Sequence, residues 1–173
     1  MRVLIVRHAV AGDKDDFARS GQPDGLRPLT PDGIKKMRRN VVGLRALVPE
    51  IHVLGSSPLV RARQTAEVLQ APYGVASVAL VDALVPERKP VELVRWLAGL
   101  EATADDFTVA VVGHEPHLGQ LVAFLLTGRR SPFAELRKGG ACMVEFAGEV
   151  SGSKARLLWL ATPKMLRSVG RGL

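Results

Sequence analysis

Near the amino terminus four apolar residues, Val3 to Val6, follow one another without a polar break. A strand with one wetted face alternates apolar and polar residues, so a continuous run reads as a strand buried on both faces, as in a parallel sheet covered by helices. Strand-like and helical runs alternate along the rest of the chain. "PDGIKKMRRNVVGLRALV" spaces Ile34, Met37, Val41, Leu44 and Val48 by three and four, the pattern of an amphipathic helix. "IHVLGS" follows as a short strand, "SPLVRARQTAEVLQ" as a helix, "SVALVDAL" as a strand and "PVELVRWLAGL" as a further helix. "FTVAVVGH" is the most strand-like run, "PHLGQLVAFLL" is helical, and "ACMVEFAGE" and "ARLLWLA" read as a closing pair of strands. The predicted fold is a three-layer α/β/α sandwich around a mainly parallel central sheet. A length of 173 residues with 47% hydrophobic content suits a single domain spanning residues 1–173.

Two stretches fall outside the alternation. Residues 11 to 29 are polar and rich in Gly, Pro and Asp, as expected of a loop beside the first strand end, and "GRRSPFAELRKGG" is a second long connection. Loops of this length in a compact domain are often functional rims.

Bulk properties narrow the function classes. The lone Cys142 excludes an intrachain disulfide and a cysteine zinc cluster, which fits a reducing compartment. Arg2 is followed by only four apolar residues before Arg7, which is not the order of a signal peptide, and no run is long enough to span a bilayer. A cytoplasmic protein with no membrane partner is expected, and a monomer. The formal charge of +7 favours acidic partners, either phosphorylated molecules or nucleic acid. The basic clusters "IKKMRRN", "GRR" and "RSVGRGL" carry no interleaved aromatic residues for stacking bases, so nucleic acid is not expected; "RSVGRGL" reads as a solvated tail.

Three predicted strands end with the same punctuation. Arg7-His8 follow the first, "SSPLVRARQT" the second and "GHEPHLG" the third. Ser57 is expected to cap a helix beginning at Pro58, with Arg61 in its first turns, and Gly113 to allow a sharp turn that leaves His114 at the strand tip before a helix starting at Pro116. Ligands of open α/β sheets bind at this edge, so Arg7, His8, Arg61 and His114 can surround one pocket if the strands are neighbours. Two guanidinium groups suit a phosphoryl group, which they clamp in bidentate fashion, and a neutral imidazole is a competent nucleophile toward phosphorus near neutral pH. The second histidine can donate hydrogen bonds to oxygens that gain charge during transfer. Neither metal nor cofactor is expected, because no cluster of Asp, Glu, Cys or His shows ligand spacing.

The ordered motifs "VRHA", "RPLTPDG", "SSPLVRARQTAEVL" and "VVGHEPHLG" resemble those of the histidine phosphatase superfamily, with its phosphoglycerate mutase-like fold. The short length, "GHEPHLGQLV" and the closing "WLATPKML" are most similar to the SixA-type phosphohistidine phosphatases. The resemblance implies that His8 is the phosphorylated nucleophile, Arg7 and Arg61 the phosphate clamps and His114 the second histidine. Arg63, two residues from Arg61, points to another helical face. Arg27 is expected at the rim, and Thr30 as a helix cap. His52 reads as a satisfied strand histidine and His117 as a polar helix face. Larger relatives carry an acid after the third strand that protonates the leaving group; here Asp82 and Glu87 are the possible proton donors, neither an unambiguous equivalent. The implied substrate is a phosphohistidine-bearing protein, steered by Arg27, Arg129, Arg130, Arg137 and Lys138, with a small phosphorylated molecule as the alternative. A broad phosphomonoesterase or mutase is the competing enzyme reading; a phosphate-recognition or basic nucleic-acid-binding module is the non-enzyme one.

Overall fold

The computed structural model describes residues 1–102, 104 and 106–172. Six strands, β1 (Arg2–Arg7), β2 (Val53–Ser56), β3 (Val78–Leu80), β4 (Thr108–Gly113), β5 (Ala141–Phe146) and β6 (Ala155–Ala161), join one sheet in the order β3-β2-β4-β1-β5-β6. β1 to β4 are parallel, β5 runs against β1, and β6 against β5. The sheet is therefore mainly parallel, as expected, and the expected closing pair of strands runs antiparallel.

The apolar run of β1 is buried on both faces, and successive residues feed opposite cores. Leu4 and Val6 pack with α2 (Pro31–Leu47) and α3 (Val60–Tyr73), whereas Val3 and Ile5 pack with α4 (Pro90–Ala98) and α5 (His117–Thr127). β4 divides the same way, through Ala110 and Val112 on one side and Val109 and Val111 on the other. The three predicted layers follow from this division. No described helix is long and apolar enough to cross a membrane.

α2 begins as predicted, with Pro31 in its first turn and the Thr30 hydroxyl accepting from Gly33 N at 2.9 Å. Thr162 and Pro163 repeat that cap at the start of α6 (Pro163–Val169), a helix the sequence reading took in part for a tail. Its reason for folding is close packing on α2. A Cβ on Gly43 would lie inside the van der Waals envelope of the Leu166 carbonyl, and one on Gly170 would stand 2.9 Å from Gly43 N. Residues 11 to 29 also hold more structure than a loop, namely α1 (Lys14–Ala18), capped by the Asp13 side chain, and a 3-10 turn at Asp24–Leu26.

Gly43→Ala is expected to destabilise the protein by about 1–3 kcal/mol, since backbone on both helices must move apart to admit one methyl group. Urea unfolding measures the loss, and a midpoint equal to that of the parent would contradict the packing described.

Candidate active site

The first strand end is built by backbone hydrogen bonds from three directions. His8 N donates to Gly113 O at 3.0 Å, extending the β1/β4 ladder by one residue, and Gly139 N donates to both Arg7 O and His8 O. Ala9 N donates to the Thr65 hydroxyl at 3.0 Å, and that hydroxyl donates to Arg61 O at 2.7 Å. β1, β4, α3 and the 138–140 turn thus fix the position of His8.

Its ring is fixed as well. His8 Nδ1 lies 2.7 Å from the Ala9 carbonyl oxygen. A carbonyl only accepts, so in the neutral ring Nδ1 carries the proton and Nε2 keeps its lone pair. Burial is the main reason the imidazole is pressed down to about 3; Arg61 and Arg7 push the same way and the Ala9 bond opposes them. His114 is pressed further, to about 2, by burial first and then by His8 and Arg61. Both rings are neutral near pH 7, with centroids 5.0 Å apart.

The predicted quartet converges. Arg7, His8, Arg61 and His114 line one open cleft of about 520 Å³, with Arg27, Glu87, Lys14 and Lys138 also on its wall. Arg61 is 5% exposed, and Arg63 points to solvent as its helical face requires. Arg7 donates to Leu136 O and Glu135 Oε1, which ties the second long connection to the cleft. Nε of Arg7 and Nε of Arg61 are buried without a hydrogen-bond partner among the described residues.

Several residues lie elsewhere than the sequence indicated. Ser57 does not cap α3, which starts two residues later than a Pro58 start would give; its hydroxyl instead meets His114 Nε2 at 2.9 Å. Gly113 has no left-handed turn to make. A Cβ there would stand 2.9 Å from Leu118 Cδ2, so α5 packs directly on the strand tip and Leu118 would have to shift to admit one. His117 is fully buried rather than on a polar face, and neither ring nitrogen has a partner among the described residues. Asp82 is exposed and off the cleft wall, whereas Glu87 is exposed and on it. Arg129 and Arg130 follow the end of α5 remote from His117, so only Arg27 and Lys138 of the steering cations line the cleft. His52 accepts from Thr108 N at 3.2 Å and is satisfied as expected.

Asp24 was not singled out in the sequence. Its carboxylate is 2.7 Å from Arg27 Nε and 3.1 Å from Arg61 Nη2, and its carbonyl accepts from Arg61 Nη1. The Arg27 hydrogen bond chiefly holds this carboxyl below its ordinary range. Glu115, also on the wall, accepts from Gly119 N and Leu136 N. Only position relative to a strand end could have drawn attention to Glu115, and nothing local to Asp24.

The model of the histidine phosphatase superfamily (branch 1) matches residues 3–85. Phosphohistidine phosphatase SixA of Escherichia coli is 33% identical over 135 residues, covering 76% of this chain and 78% of its own. The chain belongs to the histidine phosphatase superfamily. An uncharacterised Picosynechococcus protein is 34% identical over 142 residues, covering 81% of this chain and 82% of its own. The solved structure of the protein histidine phosphatase SixA complexed with tungstate superposes with a TM-score of 0.79 at 26% identity, covering 95% of this chain and 98% of that one. This histidine phosphatase is SixA-like in sequence and in fold.

The depressed histidines, His8 and His114 together with His117, which burial also pushes down, make stability depend on pH. Each binds a proton in the unfolded chain below about 6.5 but not in the folded one, so stability is full above that pH and falls on acidification toward about 3. The His8→Gln/His114→Gln variant is expected to lose less thermal stability than the parent between pH 7 and pH 4. Parallel losses in the two proteins would contradict the buried, neutral state.

Proposed function

We propose that this phosphatase hydrolyses phosphohistidine on a protein through a phosphohistidine of its own at His8. The observation that carries the reading is His8 itself: a neutral ring with Nδ1 committed to Ala9 O, on a cleft wall shared with two guanidinium groups. His8 Nε2 attacks phosphorus while the P–N bond to the substrate imidazole breaks, and the departing ring keeps the electron pair and takes a proton from water. Arg7 and Arg61 hold the phosphoryl oxygens through the transfer. His114, held by Ser57, stands beside His8 to hydrogen-bond an oxygen as its charge changes; the arriving dianion raises that ring's proton affinity. Water then attacks the phosphorus of the phosphoenzyme, the P–Nε2 bond breaks, and inorganic phosphate and neutral His8 are restored.

The acid residues favour this substrate over an alkyl ester. An alkoxide is a poor leaving group and gains much from a placed general acid, whereas imidazole leaves as a neutral or protonated ring. Asp82 lies off the cleft, and both oxygens of Glu115 accept backbone hydrogens. Glu87 supports a second reading, a small-molecule phosphomonoesterase, because it alone of the two predicted acids reaches the wall.

His8→Ala is expected to abolish turnover and phosphoenzyme labelling together; a phosphoenzyme on another residue would overturn the assignment. Arg61→Ala is expected to lower kcat/KM by about 100-fold or more, with Arg63→Ala within about twofold of the parent. The substrate is tested by comparing kcat/KM for a phosphohistidine-bearing protein with that for simple phosphate esters. Preference for the protein, unaffected by Glu87→Gln, supports the proposal; equal turnover of an ester that Glu87→Gln abolishes would replace it with the second reading. Positive charge at the cleft comes from side chains, so chelators are expected to leave the rate unchanged, and recovery with a divalent ion after loss would contradict this.

A further inference from the structure

The net charge of the chain does not reside at the cleft. There Arg7 is paired with Glu135, and Arg27 and Arg61 with Asp24. Eight of the 24 basic residues and one of the 17 acidic residues fall in α2 and in α6 with the turn after it, so this pair carries a formal +7, equal to that of the whole chain, and leaves 16 of each sign elsewhere. Among the described residues, only Lys36 of these eight has an ion-pair partner, Asp32.

The fold presses these cations together. Gly43 and Gly170 allow the two helices to approach at backbone distance, and the buried Asn40 links them, donating to Gly139 O at 3.0 Å and accepting from Arg167 Nη1 at 2.9 Å. Arg167 is thereby held by a neutral group that leaves its charge uncompensated. Two grooves adjoin α2 and share the half-exposed Val42 as an apolar ridge, one between α2 and α6 and the other between α2, Pro49 and Pro72 of α3. One, of about 320 Å³, has walls of Arg39, Arg167 and Arg171; the other, of about 420 Å³, carries Arg38 and Arg45. Among the described residues neither is lined by a carboxylate, and neither shares a lining residue with the cleft.

An uncompensated layer of like charge repels itself and weakens the compact state, which an anionic occupant would offset. Arginine matches carboxylate in planar, bidentate geometry. Concave grooves on either side of an apolar ridge fit a chain that alternates acid and apolar side chains, whereas a flat bilayer does not enter them and bases find no aromatic platform there. We propose that the α2/α6 face docks an acidic segment of a partner protein, at a site separate from the catalytic cleft.

The test uses the full chain and a dye-labelled peptide of alternating Glu and Leu, with fluorescence anisotropy at fixed salt. Arg39→Glu/Arg171→Glu is expected to weaken binding about tenfold or more and Arg39→Gln/Arg171→Gln by less, both at a melting temperature no lower than the parent's, since repulsion is relieved, and at unchanged kcat/KM on an aryl phosphate. Inorganic phosphate at concentrations that inhibit the enzyme is expected to leave the peptide bound. Three results would overturn the proposal: peptide affinity indifferent to both variants, displacement by phosphate, or tighter arginine-dependent binding of duplex DNA or of phosphatidylglycerol vesicles. If the Glu variant melts early, the Gln variant alone decides.

Discussion

One hydrogen bond, from His8 Nδ1 to the carbonyl of the next residue, organises the chemistry of this molecule. It selects the tautomer in which Nδ1 carries the proton and Nε2 keeps its lone pair, the atom proposed to react. The carbonyl can serve only because its own residue is immobilised, Ala9 N on Thr65 and Thr65 on the carbonyl of Arg61. A chain of three hydrogen bonds thus runs from His8, the proposed nucleophile, to the helix that carries Arg61. Motion of α3 would disturb both at once, so His8 and Arg61 keep a common frame.

Charge at the cleft is partly offset internally. Asp24 bridges Arg27 and Arg61, and Glu135 meets Arg7, so the guanidinium groups are oriented by carboxylates. Asp24 and Glu135 are exposed on one side, where solvent weakens such pairs. A phosphoryl group, with more charge and three acceptor oxygens, competes well against them for the remaining donors. The larger uncompensated charge lies on another face, built where two helices meet over glycine.

What the sequence disclosed followed from local rules. A double-faced apolar strand, a Thr-Pro cap and an apolar stripe at helical spacing need no partner to be read, and they place His8, Arg61 and His114 at strand ends. What it withheld depended on neighbours. Gly113 packs against Leu118, Ser57 serves His114 rather than its own helix, and Asp24 matters only because α3 presents Arg61 to it. α6 was legible in principle, since Thr162-Pro163 repeats the cap of Thr30-Pro31, but its buried side rests largely on Leu166, too little apolar pattern to announce a helix. The burial of His117 has no local sign at all.

The central claim is that the backbone chooses the reacting nitrogen, and the positional isomer of the phosphoenzyme tests it directly. With the phosphoenzyme trapped on ¹⁵N-histidine-labelled protein, phosphorus–nitrogen coupling in NMR identifies the bonded ring atom of His8. Coupling to Nε2, with Nδ1 still carrying its proton, is the predicted result. Phosphorus on Nδ1 would mean that the Ala9 hydrogen bond is broken in the reacting state, and the account would fail.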